Sequence, residues 1–160
     1  MVSEIKERLS PNIAPPITEA TQRGISKPEA EDKRTERRCR IAAEAAKQCG
    51  RGILPAVNPT LSYQKMIAEA EKCDLVIFCY EGESTQPISR AIARARQILG
   101  ERSTLDVAIV VGSEGGFSEK EAEMAKNAGF WVCGLGKRIL RTETAATFAL
   151  VCLAYELELL

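Results

Sequence analysis

The chain has 160 residues, 45% of them hydrophobic, which suits one compact domain with a sizeable core and leaves little room for a second. Its 22 Lys and Arg balance 22 Asp and Glu, so no overall charge marks it as a nucleic-acid binder, and any such surface has to be a local patch. Histidine is absent, and the six cysteines, at 39, 49, 73, 79, 133 and 152, contain no C-x-x-C pair, so neither a zinc site nor a disulfide framework is suggested.

Met1 to Leu9 carries Glu4, Lys6, Glu7 and Arg8 with no apolar stretch, so it does not read as a secretory signal. Reduced thiols then fit an intracellular compartment, the cytoplasm or an organelle. Residues 10 to 35 hold Pro11, Pro15, Pro16, Gly24 and Pro28 among Ser, Thr and charged residues, a composition that prevents long helices and resists packing. The expectation is an extended arm over 1–35 and a folded domain over 36–160. From Glu36 the pattern turns helical, with Ile41, Ala42, Ala45, Ala46 and Cys49 on one face until Gly50 and Gly52 end it. Arg37, Arg40, Glu44, Lys47 and Arg51 fall on the opposite stripe.

Leu75 to Tyr80 is a continuous apolar run followed by Glu81-Gly82, the pattern of a buried parallel strand and its loop. A helix is expected from about Pro87 to Leu99, and a second buried strand from Leu105 to Val111. Ser118-Glu-Lys-Glu121 forms a capping box that opens a helix ending near Gly129. A third strand runs from Phe130 to Leu135, and a last helix begins around Glu143. From Ala145 that helix is apolar over only about a dozen residues, short of the roughly 20 needed to cross a bilayer, so it reads as a core or interface helix and no membrane partner is expected. Alternating strands and helices predict an α/β fold with a mostly parallel sheet, whose ligands gather at the carboxyl ends of the strands.

Three of those strand ends carry glycine: Gly82, then Gly112 with Gly115 and Gly116, then Gly134 with Gly136. Glycine there either ends a strand or lets the backbone approach a ligand. The loop from Gly112 to Phe117 lacks both the P-loop and the dinucleotide-fold patterns, which argues against a nucleoside triphosphate. Between Leu135 and Thr144, Lys137, Arg138, Arg141 and Glu143 stand between a strand end and an otherwise apolar helix. That concentration suggests a site; the plainer reading is a solvated loop with Glu143 placed favourably at a helix N-terminus.

Gly112-Ser-Glu-Gly-Gly-Phe-Ser-Glu-Lys-Glu121, followed by Leu135-Gly-Lys-Arg-Ile-Leu-Arg-Thr-Glu-Thr-Ala145, closely resembles the paired signature of the RsmE-type ribosomal RNA uridine methyltransferases. Arg37 to Arg51, with Pro55 and Val57 after it, is similar to the same family's Arg- and Gln-bearing helix. The resemblance covers about residues 36 to 150, and more weakly Ile17-Thr18-Glu19. It implies a SPOUT-type α/β knot with a deep C-terminal trefoil, a homodimer, S-adenosyl-L-methionine as cofactor and no metal. The implied reaction is methyl transfer to ring nitrogen 3 of a uridine in small-subunit ribosomal RNA. Carried over residue by residue, it assigns Tyr80, Glu81, Gly82, Gly112, Gly116, Leu135, Gly136, Ile139 and Leu140 to the cofactor, and Arg40, Arg51 and Arg138 to RNA.

Transfer from a sulfonium is an in-line displacement, so acceleration should come mostly from positioning. A uridine imide is mostly protonated at neutral pH, so the site should remove that proton or stabilise the oxyanion that develops on the ring. Arg141 is the expected charge stabiliser; Glu143 either accepts the proton or orients Arg141. The chain departs from the family at Ser113, where proline is usual and a looser turn is expected. It also departs ahead of residue 36, where family members carry a PUA-like β-barrel domain for RNA and nothing here is strand-rich enough to be one. Met1 to Ile5 is similar to the family segment that follows the first helix of the catalytic domain. Two rivals stand beside this reading: a catalytically idle relative that holds the cofactor or RNA, and a small nucleotide-binding module unrelated to methylation.

Overall fold

A computed structural model describes residues 12–13, 16–17, 28–82, 85–102 and 104–157. The expectations for Met1 to Leu9, and most of the arm, lie outside those residues. Two short segments of the arm are described, strands β1 (Asn12–Ile13) and β2 (Pro16–Ile17). Helix α1 (Pro28–Gln48) then starts eight residues before Glu36, so the last part of the expected arm is helical. Proline is the reason this is allowed: at the first helical position its fixed φ suits the helix, and its missing N–H would have had no intrahelical partner.

Strands β3 (Ala56–Val57) and β4 (Leu61–Ser62) pair in parallel with β1 and β2, Asn12 beside Ala56 and Pro16 beside Leu61. Helix α2 (Tyr63–Ala70) follows, its first turn held where the Ser62 hydroxyl accepts from the Lys65 amide. Tyr63, Met66 and Ala70 are its buried stripe, at the spacing of one helical face.

The main sheet holds β5 (Leu75–Cys79), β6 (Gln86–Pro87), β7 (Val107–Val111) and β8 (Trp131–Gly134), in the order β6-β8-β5-β7 and parallel throughout. β5 is buried at every position, as its unbroken apolar run requires, because both faces are covered. Val76 and Phe78 point to one face, where they meet Tyr63 and Met66 of α2 and Ala122 and Ala125 of α4 (Glu119–Asn127). Leu75, Ile77 and Cys79 point to the other, against Ala91, Ile92 and Ala95 of α3 (Ile88–Glu101) and Ala149 and Leu153 of α5 (Thr142–Glu156).

Polar contacts fix the helices at their ends. The capping box forms as expected: Ser118 accepts from the Glu121 amide while the Glu121 carboxylate accepts from the Ser118 amide at 2.8 Å. The buried Tyr63 hydroxyl donates to the Glu121 carbonyl, joining α2 to α4. Arg96 of α3 donates to the Glu156 carbonyl at 2.6 Å and its carboxylate at 3.0 Å, fastening the end of α5. Among the described residues no helix is long and apolar enough to cross a membrane.

Candidate functional site

Because the four strands of the main sheet are parallel, the loops after β5, β7 and β8 emerge on one side, and there they enclose a cleft of about 460 Å³. Tyr80 and Glu81 line it from the first loop, Gly112 to Gly116 from the second, and Leu135 to Thr142 from the third, with Glu143 in the first turn of α5. The volume falls within the range of small-molecule and cofactor sites.

The second loop doubles back tightly. The Gly116 amide donates to the Ser113 carbonyl at 2.8 Å, and Gly116 has φ +65°. A Cβ on Gly112 would lie 3.0 Å from the Gly116 backbone and 3.2 Å from the Phe117 ring. Glycine is therefore needed for the two limbs of this turn to touch. At Ser113, where a looser turn is expected, this hydrogen bond closes the turn through the main-chain carbonyl, an acceptor that proline would also offer. In the third loop Gly136 takes φ +124° with open space beside it, which swings Lys137, Arg138 and Ile139 outward, all exposed.

Of the residues singled out in the sequence, Tyr80, Glu81, Gly112, Gly116, Leu135, Gly136, Arg138, Ile139, Leu140, Arg141 and Glu143 all border the cleft. Three do not. Gly82 lies behind Tyr80, whose ring occupies the space a Cβ would need, so it seats a wall residue and is not among the lining residues itself. Arg40 is exposed on α1, and Arg51 follows that helix with its amide donating to the Ala46 carbonyl. Thr85 and Glu114 also line the cleft. Glu114 sits within the glycine loop, but nothing in the local pattern marks Thr85, which the pairing of β6 with β8 brings there.

Arg141 is the N-cap residue of α5, yet its side chain makes no cap hydrogen bond. Among the described residues neither the Arg141 guanidinium nor the Glu143 carboxylate has a side-chain partner; the Thr147 hydroxyl donates to the Glu143 carbonyl and the Ala145 amide to the Arg141 carbonyl. A cation and a carboxylate thus face one cleft without neutralising each other.

Cys79 lies on the cleft wall and is the register partner of Cys133. Burial pushes the Cys79 thiol up to about 12, with Cys133 adding to the shift, and burial pushes Cys133 up to about 11. Iodoacetamide at pH 8 should therefore label the exposed Cys39 and Cys49 far faster than Cys79 or Cys133, as counted by mass spectrometry. Because the folded values lie above the ordinary thiol value of 9.0, the stability these neutral thiols support is full below about pH 9 and declines as pH rises through the folded values. Urea midpoints should fall across that window; flat midpoints would show that the thiols ionise as freely as in the unfolded chain.

Comparison with known proteins places this geometry. Residues 11–154 match the RNA methyltransferase domain family. Ribosomal RNA small subunit methyltransferase E of Bacillus subtilis is 39% identical over 128 residues, 80% of this chain and 49% of its own length. The protein of the same name in Aquifex aeolicus is 34% identical over 125 residues, 78% of this chain and 49% of its own. The chain thus spans about half the length of the curated relatives it matches. Among solved structures, the putative methyltransferase Lpg2936 of Legionella pneumophila, in complex with bound S-adenosylmethionine, aligns with a TM-score of 0.74 at 28% identity. That alignment covers 97% of this chain and 61% of the other. Ribosomal RNA small subunit methyltransferase E of Neisseria gonorrhoeae, bound to S-adenosylmethionine, gives 0.68 at 29% identity, covering 96% of this chain and 58% of the other.

Proposed function

Because this chain belongs to the RNA methyltransferase domain family, we propose that it is an S-adenosylmethionine-dependent methyltransferase acting on N3 of a uridine in small-subunit ribosomal RNA. The observation that carries the reading is the cleft: three glycine-bearing loops of a parallel sheet converge on one cavity that also presents Arg141 and Glu143. The dimensions and donors suit the cofactor. Backbone amides and carbonyls of the tight Gly112–Gly116 turn and of Leu135 to Leu140 would hold its polar groups, and Tyr80 and Leu140 would shield it from water.

When bound, the cofactor supplies an electrophilic methyl group on a sulfonium. The chain's part is to place the uridine nitrogen in line with it and to make that nitrogen nucleophilic. Arg141, a cation with no described partner, stabilises the negative charge that spreads onto the pyrimidine oxygens as the N3 proton leaves. Glu143, likewise unpaired, accepts that proton directly or through a water. The absence of an ion pair between the two, among the described residues, favours this division over one in which Glu143 merely orients Arg141. Glu143→Gln should lower methyl transfer about 10²-fold or more with unchanged cofactor affinity; full activity in that variant would remove Glu143 as the base.

The same reading includes a homodimer, a C-terminal trefoil knot and action inside the cell on ribosomal RNA. An exposed apolar surface supports the dimer: Phe148, Leu150, Val151 and Tyr155 of α5 are open to solvent, Tyr155 by 72%, and Ile41 of α1 by 52%. In keeping with the knot, the chain leaves β8 on one side of β5 and returns in α5, which packs on β7 at the other side. Arg40, Arg51 and Arg138 are the proposed RNA contacts, and their replacement should weaken binding and lessen its salt dependence.

Calorimetry with S-adenosylmethionine, then radiolabelled transfer to undermodified small ribosomal subunits, tests the whole. Binding with transfer supports the enzyme. A folded chain that binds no cofactor overturns it. Binding without transfer favours an idle cofactor-holding relative.

A further inference from the structure

Among the described residues, Ile139 is the most exposed of the large hydrophobic side chains, at 80%. It lies outside α1 and α5, the helices that carry the exposed hydrophobic residues named above. It stands in the third cleft loop, three residues before the start of α5, with Lys137 and Arg138 on one side and Arg141 on the other, all exposed. Two readings of such a residue can be weighed on its surroundings. A wall of the cofactor pocket would be expected to lean against its neighbours, as Leu140 does in remaining half-buried. A branched aliphatic side chain held out beside Lys137 and Arg138, with Arg141 kept for the target ring, instead matches a ligand that alternates apolar faces with negative charges at short intervals.

Single-stranded nucleic acid has that chemistry, with bases for the aliphatic group and phosphates for the cations. We propose that the Ile139 side chain is an RNA contact that packs on a nucleobase beside the target uridine, while the main chain of the same loop serves the cofactor. The positive φ of Gly136 turns the loop outward, and the short stretch from there to α5 fixes how far Ile139 projects from the cleft. An enzyme that must take a base out of its stack to reach a ring nitrogen needs something to occupy or brace the gap, and an exposed aliphatic side chain at the mouth of the cleft is suited to it.

The inference rests on the methyltransferase reading, and the test separates the two. Wild type, Ile139→Ala and Ile139→Leu are compared for S-adenosylmethionine affinity by calorimetry, for affinity to a protein-free small-subunit ribosomal RNA transcript by filter binding, and for mass by sedimentation. The expected result is cofactor affinity within about twofold of wild type, RNA affinity roughly tenfold weaker in Ile139→Ala, recovery of most of it in Ile139→Leu, and an unchanged mass. A matching loss of cofactor affinity would make Ile139 a pocket wall and overturn the inference. A change in mass would make it a subunit contact and do the same, as would RNA affinity equal to wild type. If wild type itself binds no cofactor, the methyltransferase reading fails; if it binds cofactor and Ile139→Ala alone loses RNA affinity, both stand.

Discussion

Arg141→Ala should lose about 10²- to 10³-fold in methyl transfer while binding S-adenosylmethionine almost as well as the unaltered chain. The size follows from what is removed, one preorganised charge aimed at where negative charge develops. The sparing of the cofactor follows from where Arg141 stands: it caps α5 through its backbone, its carbonyl accepting from the Ala145 amide at 2.7 Å, so truncating the side chain leaves the loop's geometry intact. Arg141→Lys should recover only part of the loss, because an ammonium supplies charge without the planar fork of donors. Single-turnover rates beside calorimetric affinities decide the matter. Equal losses in both would make Arg141 a cofactor-binding group, and undiminished turnover would remove it from the chemistry.

The second large effect concerns the core beneath the cleft. Phe78 is fully buried on the central strand, and its ring centroid lies 4.3 Å from that of Phe117. Phe117 joins the glycine turn to the capping box of α4 and also lines the cleft. Phe78→Ala should cost about 3–5 kcal/mol, a large share of the 5–15 kcal/mol typical of a domain. It should also weaken cofactor binding, since Phe117 loses the surface that holds it under Gly112. Urea unfolding should show a lower midpoint with an unchanged slope. A cost below about 1 kcal/mol would mean that the space left behind collapses and that this face is packed less tightly than its burial implies.

The parts of the fold that are legible in the sequence are those whose signal is local and strong. Leu75 to Cys79 is apolar at every position because both of its faces are covered, and Ser118 with Glu121 announces the start of α4 by chemistry confined to four residues. The pieces that sequence reasoning misses have little local signal. β3, β4 and β6 are two residues long and exist through their partners, and α2 has only Ser62 and the stripe of Tyr63, Met66 and Ala70 to mark it. Pro28 was read as a helix breaker although the first helical turn tolerates it. The stripe from Ile41 to Cys49 was legible as amphipathic, yet only Ala46 of it is buried within the chain; periodicity reports that a face is apolar and not what covers it. At the cleft, glycine and charge patterns point to Gly112, Gly116, Gly134, Gly136, Lys137, Arg138, Arg141 and Glu143, and the family resemblance adds Tyr80, Glu81, Leu135, Ile139 and Leu140. Thr85 escapes because its place depends on strand pairing, while Gly82, outside the lining residues, makes room for Tyr80.

The placement of α5 bears on how the protein comes to be made. This helix follows every other described element in sequence, yet Ala149 and Leu153 complete the cover over Leu75, Ile77 and Cys79, and its first residues supply one rim of the cleft. While the chain is being synthesised, the part of that face that α3 does not cover therefore stays open until α5 is made, and transiently open apolar surface of this kind invites aggregation. A stop before Ala149 would remove Ala149 and Leu153 from that cover, so a truncation that deletes only this part of α5 should lower the soluble yield measured beside the unaltered chain.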